Sequence, residues 1–194
     1  MRIISDKTIS LHRPNAMTIG KFDGIHLGHM ALLNKTIGYS VKLSMPSIVF
    51  TFHPNPVSVL SGKPFKSLIS ENQKMNILSA IGIDILINYP FDRAFADISP
   101  DDFMRFIFED LQCRALIIGE SFRFGKGRMG EASTLVSAGN ACGAIVEIVK
   151  SVDIDGEPVS STRIREAIAD KKYALAERLL GRPLSNGFTA RLTD

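Results

Sequence analysis

Gly20-Lys21-Phe22-Asp23-Gly24-Ile25-His26-Leu27-Gly28-His29 is the stretch from which the rest of this sequence is read. The apolar run before it, Ala16 to Ile19, reads as a short buried strand. Met30-Ala31-Leu32-Leu33-Asn34-Lys35 after it reads as a helix. The stretch is therefore a strand-to-helix turn, where open α/β sheets bind ligands. Two of the four histidines in the chain fall here, three positions apart. A helix beginning near Gly28 puts His26 and His29 close together around its N-terminus. Free backbone N–H groups and the helix dipole favour an anion there. Gly20, Gly24 and Gly28 are expected to remove side chains where a ligand approaches the backbone. From these residues alone, two histidines on a solvated turn remain the alternative.

Outward from this turn, strands alternate with helices. Residues 1–15 read as an edge strand or lead-in that ends at Pro14, and the first helix is expected to end near Gly38. Ser47 to Phe52 is β-branched and aromatic, a buried strand that stops at His53-Pro54-Asn55-Pro56. Residues 57–69 read as a loop. Ser70 with Gln73 three residues on is a capping-box start for a helix to about Ile81. Ile83 to Ile87 is the next strand. Ser99-Pro100-Asp101-Asp102 starts a helix whose apolar stripe, Phe103, Phe106, Ile107 and Leu111, is core. Ala115 to Ile118 is a strand, 119–130 a glycine-rich loop, Ala132 to Gly139 a helix and Ala144 to Val149 the last clear strand. Asp153 to Gly156 reads as a turn. Two helices follow, one through Ile168 and one from Tyr173 to Leu180, closed by Gly181 and Pro183. The order implies an α/β fold with a mainly parallel, doubly wound sheet and helices on both faces.

A second element lies at Ser160-Ser161-Thr162-Arg163-Ile164-Arg165. Ser and Thr before a helix are natural caps, and their hydroxyls can serve the helix or a ligand phosphate. Arg163 and Arg165 are two apart and point to different faces, so at most one enters a given site. A capped amphipathic helix with surface arginines is the alternative reading.

Composition narrows the class. At 194 residues the chain can bury a proper core, and 45% hydrophobic with 22% charged residues is ordinary for a globular protein. A net charge of +3 fits anionic small molecules and, without a dense Lys/Arg stripe, makes no case for nucleic acid. No apolar run reaches membrane-spanning length, and charges interrupt the N-terminus, so no membrane partner or secretory signal is expected. Cys113 and Cys142 have no C-x-x-C or His partner nearby and read as two reduced, semi-buried thiols of a cytoplasmic protein. No metal-ligand cluster is evident, and no Ser-His-Asp set.

H-x-G-H after a first strand resembles the nucleotidyltransferase superfamily. The longer string G-x-F-D-G-x-H-x-G-H resembles the FMN adenylyltransferase module of bacterial bifunctional FAD synthetases. Ser160 to Arg165 resembles that family's S-S-T-x-[IV]-R motif, whose arginine matches Arg165. The likeness covers about residues 15–185. It implies a Rossmann-like nucleotidyltransferase fold over 1–184, with 185–194 a tail where a riboflavin kinase domain would begin. It also implies transfer of AMP from ATP to FMN, giving FAD and pyrophosphate, with Mg²⁺ accompanying ATP and no riboflavin kinase activity. His26, His29 and Arg165 would be catalytic. Gly20, Phe22, Asp23, Gly24, His26, Gly28, His29, Ser160, Ser161, Thr162 and Arg165 would bind ATP. Arg165, Ser161 and Thr162 would hold the outer phosphates. Asp23 has two readings, orienting the turn or sitting near Mg²⁺.

The flavin side carries departures. Phe52-His53-Pro54-Asn55-Pro56 matches a stretch in which the family has an acid where this chain has His53, and often His where it has Asn55. Gly119 to Gly130 resembles G-x-[ND]-F-x-F-G-x-x-x-x-G, with Ser121 in place of Asn or Asp. Lys21 stands where Asn is usual. By this likeness Phe52, Pro54, Asn55, Ser121, Phe122, Arg123, Phe124 and Gly125 would bind FMN. The two phenylalanines of the loop have an alternative reading as packing. Three competing functions remain. One is a dinucleotide protein reading Gly125-x-Gly127-x-x-Gly130, although Glu120 to Phe124 separate that string from its strand. A second is an adenylyltransferase for nicotinate mononucleotide or phosphopantetheine. The third is a non-catalytic flavin or adenine-nucleotide binder.

Overall fold

The computed structural model describes residues 1–184; the expected tail, 185–194, lies outside them. Six strands form one parallel sheet: β1 (Arg2–Ile4), β2 (Asn15–Ile19), β3 (Ser47–His53), β4 (Ile85–Pro90), β5 (Cys113–Gly119) and β6 (Ile145–Val149). Their order is β1-β4-β3-β2-β5-β6. Around them lie α1 (Leu27–Leu43), α2 (Pro56–Ser61), α3 (Glu71–Ile81), α4 (Arg93–Ala96), α5 (Pro100–Arg105), α6 (Ala132–Ala141), α7 (Ser161–Ala169) and α8 (Tyr173–Leu180).

The central strands are buried on both faces, which is why they read as unbroken apolar runs. Alternate residues serve opposite layers. Met17, Ile19, Ile48, Phe50, Leu116 and Ile118 pack with Phe103, Ile107 and Leu135 on one face. Val49 and Leu86 pack with Leu33, Leu78, Ile164 and Leu179 on the other. The chain leaves β2 toward β3 on one side and later crosses to β5 on the other. The crevice beyond the carboxyl end of β2 is thus the switch point of the sheet, and Gly20 to His29 begins there.

Capping follows the sequence. Ser70 Oγ accepts from the Gln73 N–H at 3.1 Å, and the Gln73 Oε1 accepts from the Ser70 N–H at 2.9 Å, a complete capping box. Ser99 caps α5 with Pro100 at its first position.

Five readings are corrected. The first helix runs past Gly38 to Leu43 and ends at Ser44 in the left-handed region. Gly38 costs only ~1 kcal/mol in a helix, and the last turns pack Tyr39 and Leu43 on Ala16, Ala115 and Ile117. The 57–69 loop opens with α2, because Asn55 Oδ1 accepts from the Val57 N–H at 2.9 Å and Pro56 sits at the first helical position. The helix expected through Leu111 changes after Arg105 into a π turn, Phe106–Asp110, which turns Phe106 onto Phe50, Tyr89 and Phe95. The glycine-rich loop holds a small antiparallel pair, Arg123–Phe124 with Gly130–Glu131. Finally, the cysteines are not alike. Both are free, but Cys113 is fully buried, which pushes its thiol up to about 12, and Cys142 is exposed.

Candidate active site

Immediately after β2 the backbone turns sharply. Phe22 and Ile25 adopt positive φ, 49° and 42°, and both are fully buried. A β-branched residue at positive φ is strained, and burial of both side chains in the core holds the turn in place. Gly24 (φ 86°) packs so closely that a Cβ would lie 2.8 Å from Leu68 Cδ1. At Gly28 a Cβ would lie 3.1 Å from the His26 ring. The glycines at 24 and 28 therefore make room for protein side chains on their Cβ side, Leu68 at the first and the His26 ring at the second.

The space at Gly28 lets His26 fold back as the N-cap of α1. Its Nδ1 accepts from the His29 N–H at 3.3 Å. With Nδ1 used as an acceptor, a neutral His26 carries its proton on Nε2 and presents a donor. Burial, then the charge of Arg182, lowers its pKa to about 4. The His29 ring stacks on His26 with centroids 3.7 Å apart and lies 5.1 Å from the Phe22 ring. Burial, followed by His26, Lys21, Lys74 and Arg182, holds His29 well below the ordinary imidazole range, and its buried Nδ1 has no hydrogen-bond partner. Both histidines are thus neutral donors at pH 7, beside cations that supply the charge.

The two motifs meet at Asp23. Its Oδ2 takes a short ion pair from Arg165 of α7, and its Oδ1 accepts from the Leu68 N–H at 2.8 Å. Ser161 Oγ donates to the Asp23 carbonyl at 2.8 Å, 138 residues away in sequence. Burial raises the Asp23 pKa, opposed by Arg165. Arg165 also donates to the Lys66 carbonyl at 3.3 Å and lies 4.8 Å over the Phe65 ring. Arg163 instead pairs with Glu157 at 3.1 Å, so only one arginine of the motif faces the site. Ser160 caps α7, accepting from the Arg163 N–H at 3.1 Å, and Thr162 is exposed. Asp23 thus ties the first turn to Leu68, Ser161 and Arg165.

Beside this junction is a cavity of about 440 Å³. Lys21 and Asp23 from the first motif and Phe52, Pro54 and Asn55 from the end of β3 line it together. Phe65, Glu71 and Lys74, which the sequence reading missed, line it too. Phe65 lay in an unread loop. Lys74 was passed over within its helix, although it shares a face with the buried Leu78 four residues on. Desolvation first, then Arg165 and Arg128, lowers the Lys21 pKa, with Asp23 acting the other way. A larger groove, about 940 Å³, opens at the opposite ends of the strands near Arg2, Asn15 and Asp84, and touches none of these residues.

Ser121 to Gly125 do not line the 440 Å³ cavity. Phe124 is buried against Phe103 at 4.9 Å, and Phe122 stacks on Phe124 at 6.0 Å. Arg123 pairs with Glu131 at 3.5 Å. A Cβ at Gly125 would meet Pro100 N at 2.9 Å, and one at Gly130 the Phe124 ring at 2.6 Å. The two glycines that open the G-x-x-x-x-G spacing and close it are therefore packing requirements of this loop. The G-x-G-x-x-G reading is unsupported as well, because a turn and the strand Arg123–Phe124 separate it from β5.

A parallel sheet with a capped, histidine-bearing helix N-terminus at its switch point defines an α/β protein of the nucleotidyltransferase type. The chain belongs to the FAD synthetase family, whose model matches residues 8–163. The bifunctional riboflavin kinase/FMN adenylyltransferase of Pseudomonas fluorescens is 35% identical over 89% of this chain and 56% of its own. That of Haemophilus influenzae is 37% identical over 87% and 55%. The chain thus spans just over half the length of these relatives. A protein of Geobacillus thermodenitrificans, provisionally named for the same two activities, is 33% identical over 89% of this chain and 92% of its own. Among solved structures, one titled a macrolide-efflux protein from Streptococcus pneumoniae superposes with a TM-score of 0.82 at 27% identity, over 94% of this chain and 62% of that one. Pantothenate synthetase from Thermus thermophilus shares the fold at 0.50 and 16%, over 93% and 81%. No helix among the described residues is long and apolar enough to cross a membrane.

Proposed function

We propose that the chain is an FMN adenylyltransferase that transfers AMP from ATP to FMN, giving FAD and pyrophosphate. The observation that carries the reading is the meeting of both motifs at Asp23, beside a cavity that the β3-end stretch completes. An oxygen of the acceptor phosphate forms a bond to the α-phosphorus of ATP. The bond from that phosphorus to the bridging oxygen breaks, and pyrophosphate leaves with the electron pair. No protein nucleophile is needed, so the site acts by alignment and charge stabilisation.

In this reading Nε2 of His26 and His29 donate to the transferring phosphates, and the Leu27 and Gly28 N–H groups of α1 add backbone donors. Arg165 exchanges part of its contact with Asp23 for the outer phosphates, with Ser161 and Thr162 beside it. Gly20 and Phe22 shape the turn, and Ser160 holds the start of α7. On the acceptor side Phe52, Pro54 and Asn55 flank the flavin. Mg²⁺ would arrive with ATP, held chiefly by phosphate oxygens and water, since no group of three metal-ligating side chains occurs among the described residues. The ion would supply further neutralisation of the leaving pyrophosphate. The paired chemistry of ATP and flavin, with two free cysteines, favours a cytoplasmic protein.

An acceptor panel tests the reading. Pyrophosphate release from ATP and Mg²⁺ is expected with FMN, and not with nicotinate mononucleotide, phosphopantetheine or riboflavin. Release with one of the other phosphates in preference to FMN would reassign the acceptor.

A further inference from the structure

Lys74 is buried, its side chain only 7% exposed. An ammonium carries three donors, and leaving donors unmade in a buried place is costly. Glu71 Oε1, at 3.0 Å, is the one hydrogen-bond partner of the Lys74 ammonium among the described residues. Glu71 in turn reaches Asn88 Nδ2 at 3.5 Å, which fixes the carboxylate against the end of β4. Lys74 thus has two N–H groups to spare, and it lines the cavity that Lys21 enters from the other motif. Its charge is felt at both Asp23 and His29. Lys74 is not needed to cap α3, since the helix already starts on a complete capping box.

We propose that Lys74 is a ligand of the acceptor phosphate, which it holds together with Lys21 beside the histidine pair. The proposal rests on the adenylyltransferase reading. The cavity is lined by the rings of Phe52 and Phe65 and by Lys21 and Lys74, each lysine with a carboxylate, Asp23 or Glu71, on the same lining; rings and cations are both what a flavin with a terminal phosphate requires. Two polyanions must approach for the transfer to occur, and their repulsion is largest where water is excluded. His26 and His29 are neutral and contribute donors without charge. The two lysines supply the charge on the acceptor side and Arg165 on the donor side. Glu71 keeps the Lys74 ammonium aimed at the cavity until the phosphate shares it.

Calorimetric titration of FMN and of riboflavin, which lacks the phosphate, separates this role from a structural one. The wild type should prefer FMN. In Lys74→Met that preference should fall by about tenfold or more, with riboflavin and ATP affinities unchanged. Lys74→Arg should keep most of it. An unchanged preference in Lys74→Met, or an equal loss of FMN, riboflavin and ATP binding, would overturn the assignment. If the wild type makes FAD while the preference is insensitive to Lys74, this inference fails alone. If the wild type binds no FMN and makes no FAD, the adenylyltransferase reading fails with it.

Discussion

His26 shows how one position sets the chemistry of the site. Its Nδ1 is spent on the His29 N–H, so the ring can only donate through Nε2, and burial keeps it neutral down to about pH 4. The expected consequence is a kcat/KM profile for FAD formation without a break near 6.5, flat from about pH 5.5 to 8. An inflection near 6.5 that disappears in His26→Asn would contradict it. Asp23 is the second decisive residue. Asp23→Ala removes the counter-charge of Arg165 and the acceptor for the Leu68 N–H. Since Arg165 keeps some contact with solvent, a loss of about 2 kcal/mol in denaturant unfolding is expected, below the cost of breaking a fully buried pair. The spacing of the histidines was legible in the sequence. The cap was not, because it depends on the ring folding into space left by Gly28. The Asp23–Ser161 contact was equally hidden, since it joins residues far apart in the chain.

Elements read well where periodicity and caps agree, as at Ser70 and Ser99. They read poorly where one residue argues against its surroundings. Gly38 read as an end, yet tertiary packing of the following turns carried α1 on to Leu43. The glycine-rich 119–130 loop left flavin binding and packing as alternatives, and two of its glycines, Gly125 and Gly130, lie against Pro100 and Phe124. Gly130→Ala is therefore expected to cost about 1–3 kcal/mol by overpacking, seen as a lowered Tm. An unchanged Tm would mean that the loop is not held as described. Short α2 escaped notice because its cap, Asn55, lies inside a stretch whose two prolines suggested only an interruption.

At the scale of the whole molecule, the buried neutral histidines tie stability to pH. Each binds a proton more readily when unfolded than when folded, so stability is full above about pH 6.5 and declines as pH falls toward 4. His26 alone corresponds to about 3 kcal/mol over that interval. Asp23 acts in the opposite sense, since its raised pKa favours the folded state in acid. Urea midpoints measured between these limits should fall with acid in the wild type and fall less in His26→Asn, which still offers a capping side chain. The mainly parallel, doubly wound class and the position of the first motif at a strand-to-helix turn were legible from alternating elements; the strand order was not, because it depends on which strands pair across the sheet. The cavity was not, because α3 contributes to it through Glu71 and Lys74, which belong to no motif. The most direct test of the central claim is the initial rate of FAD formation from ATP, Mg²⁺ and FMN, with His29→Ala as control. The account predicts FAD and pyrophosphate in equal amounts, and a loss of roughly a hundredfold or more in the variant. Binding of both nucleotides by the wild type without FAD, or an undiminished rate in the variant, would contradict it.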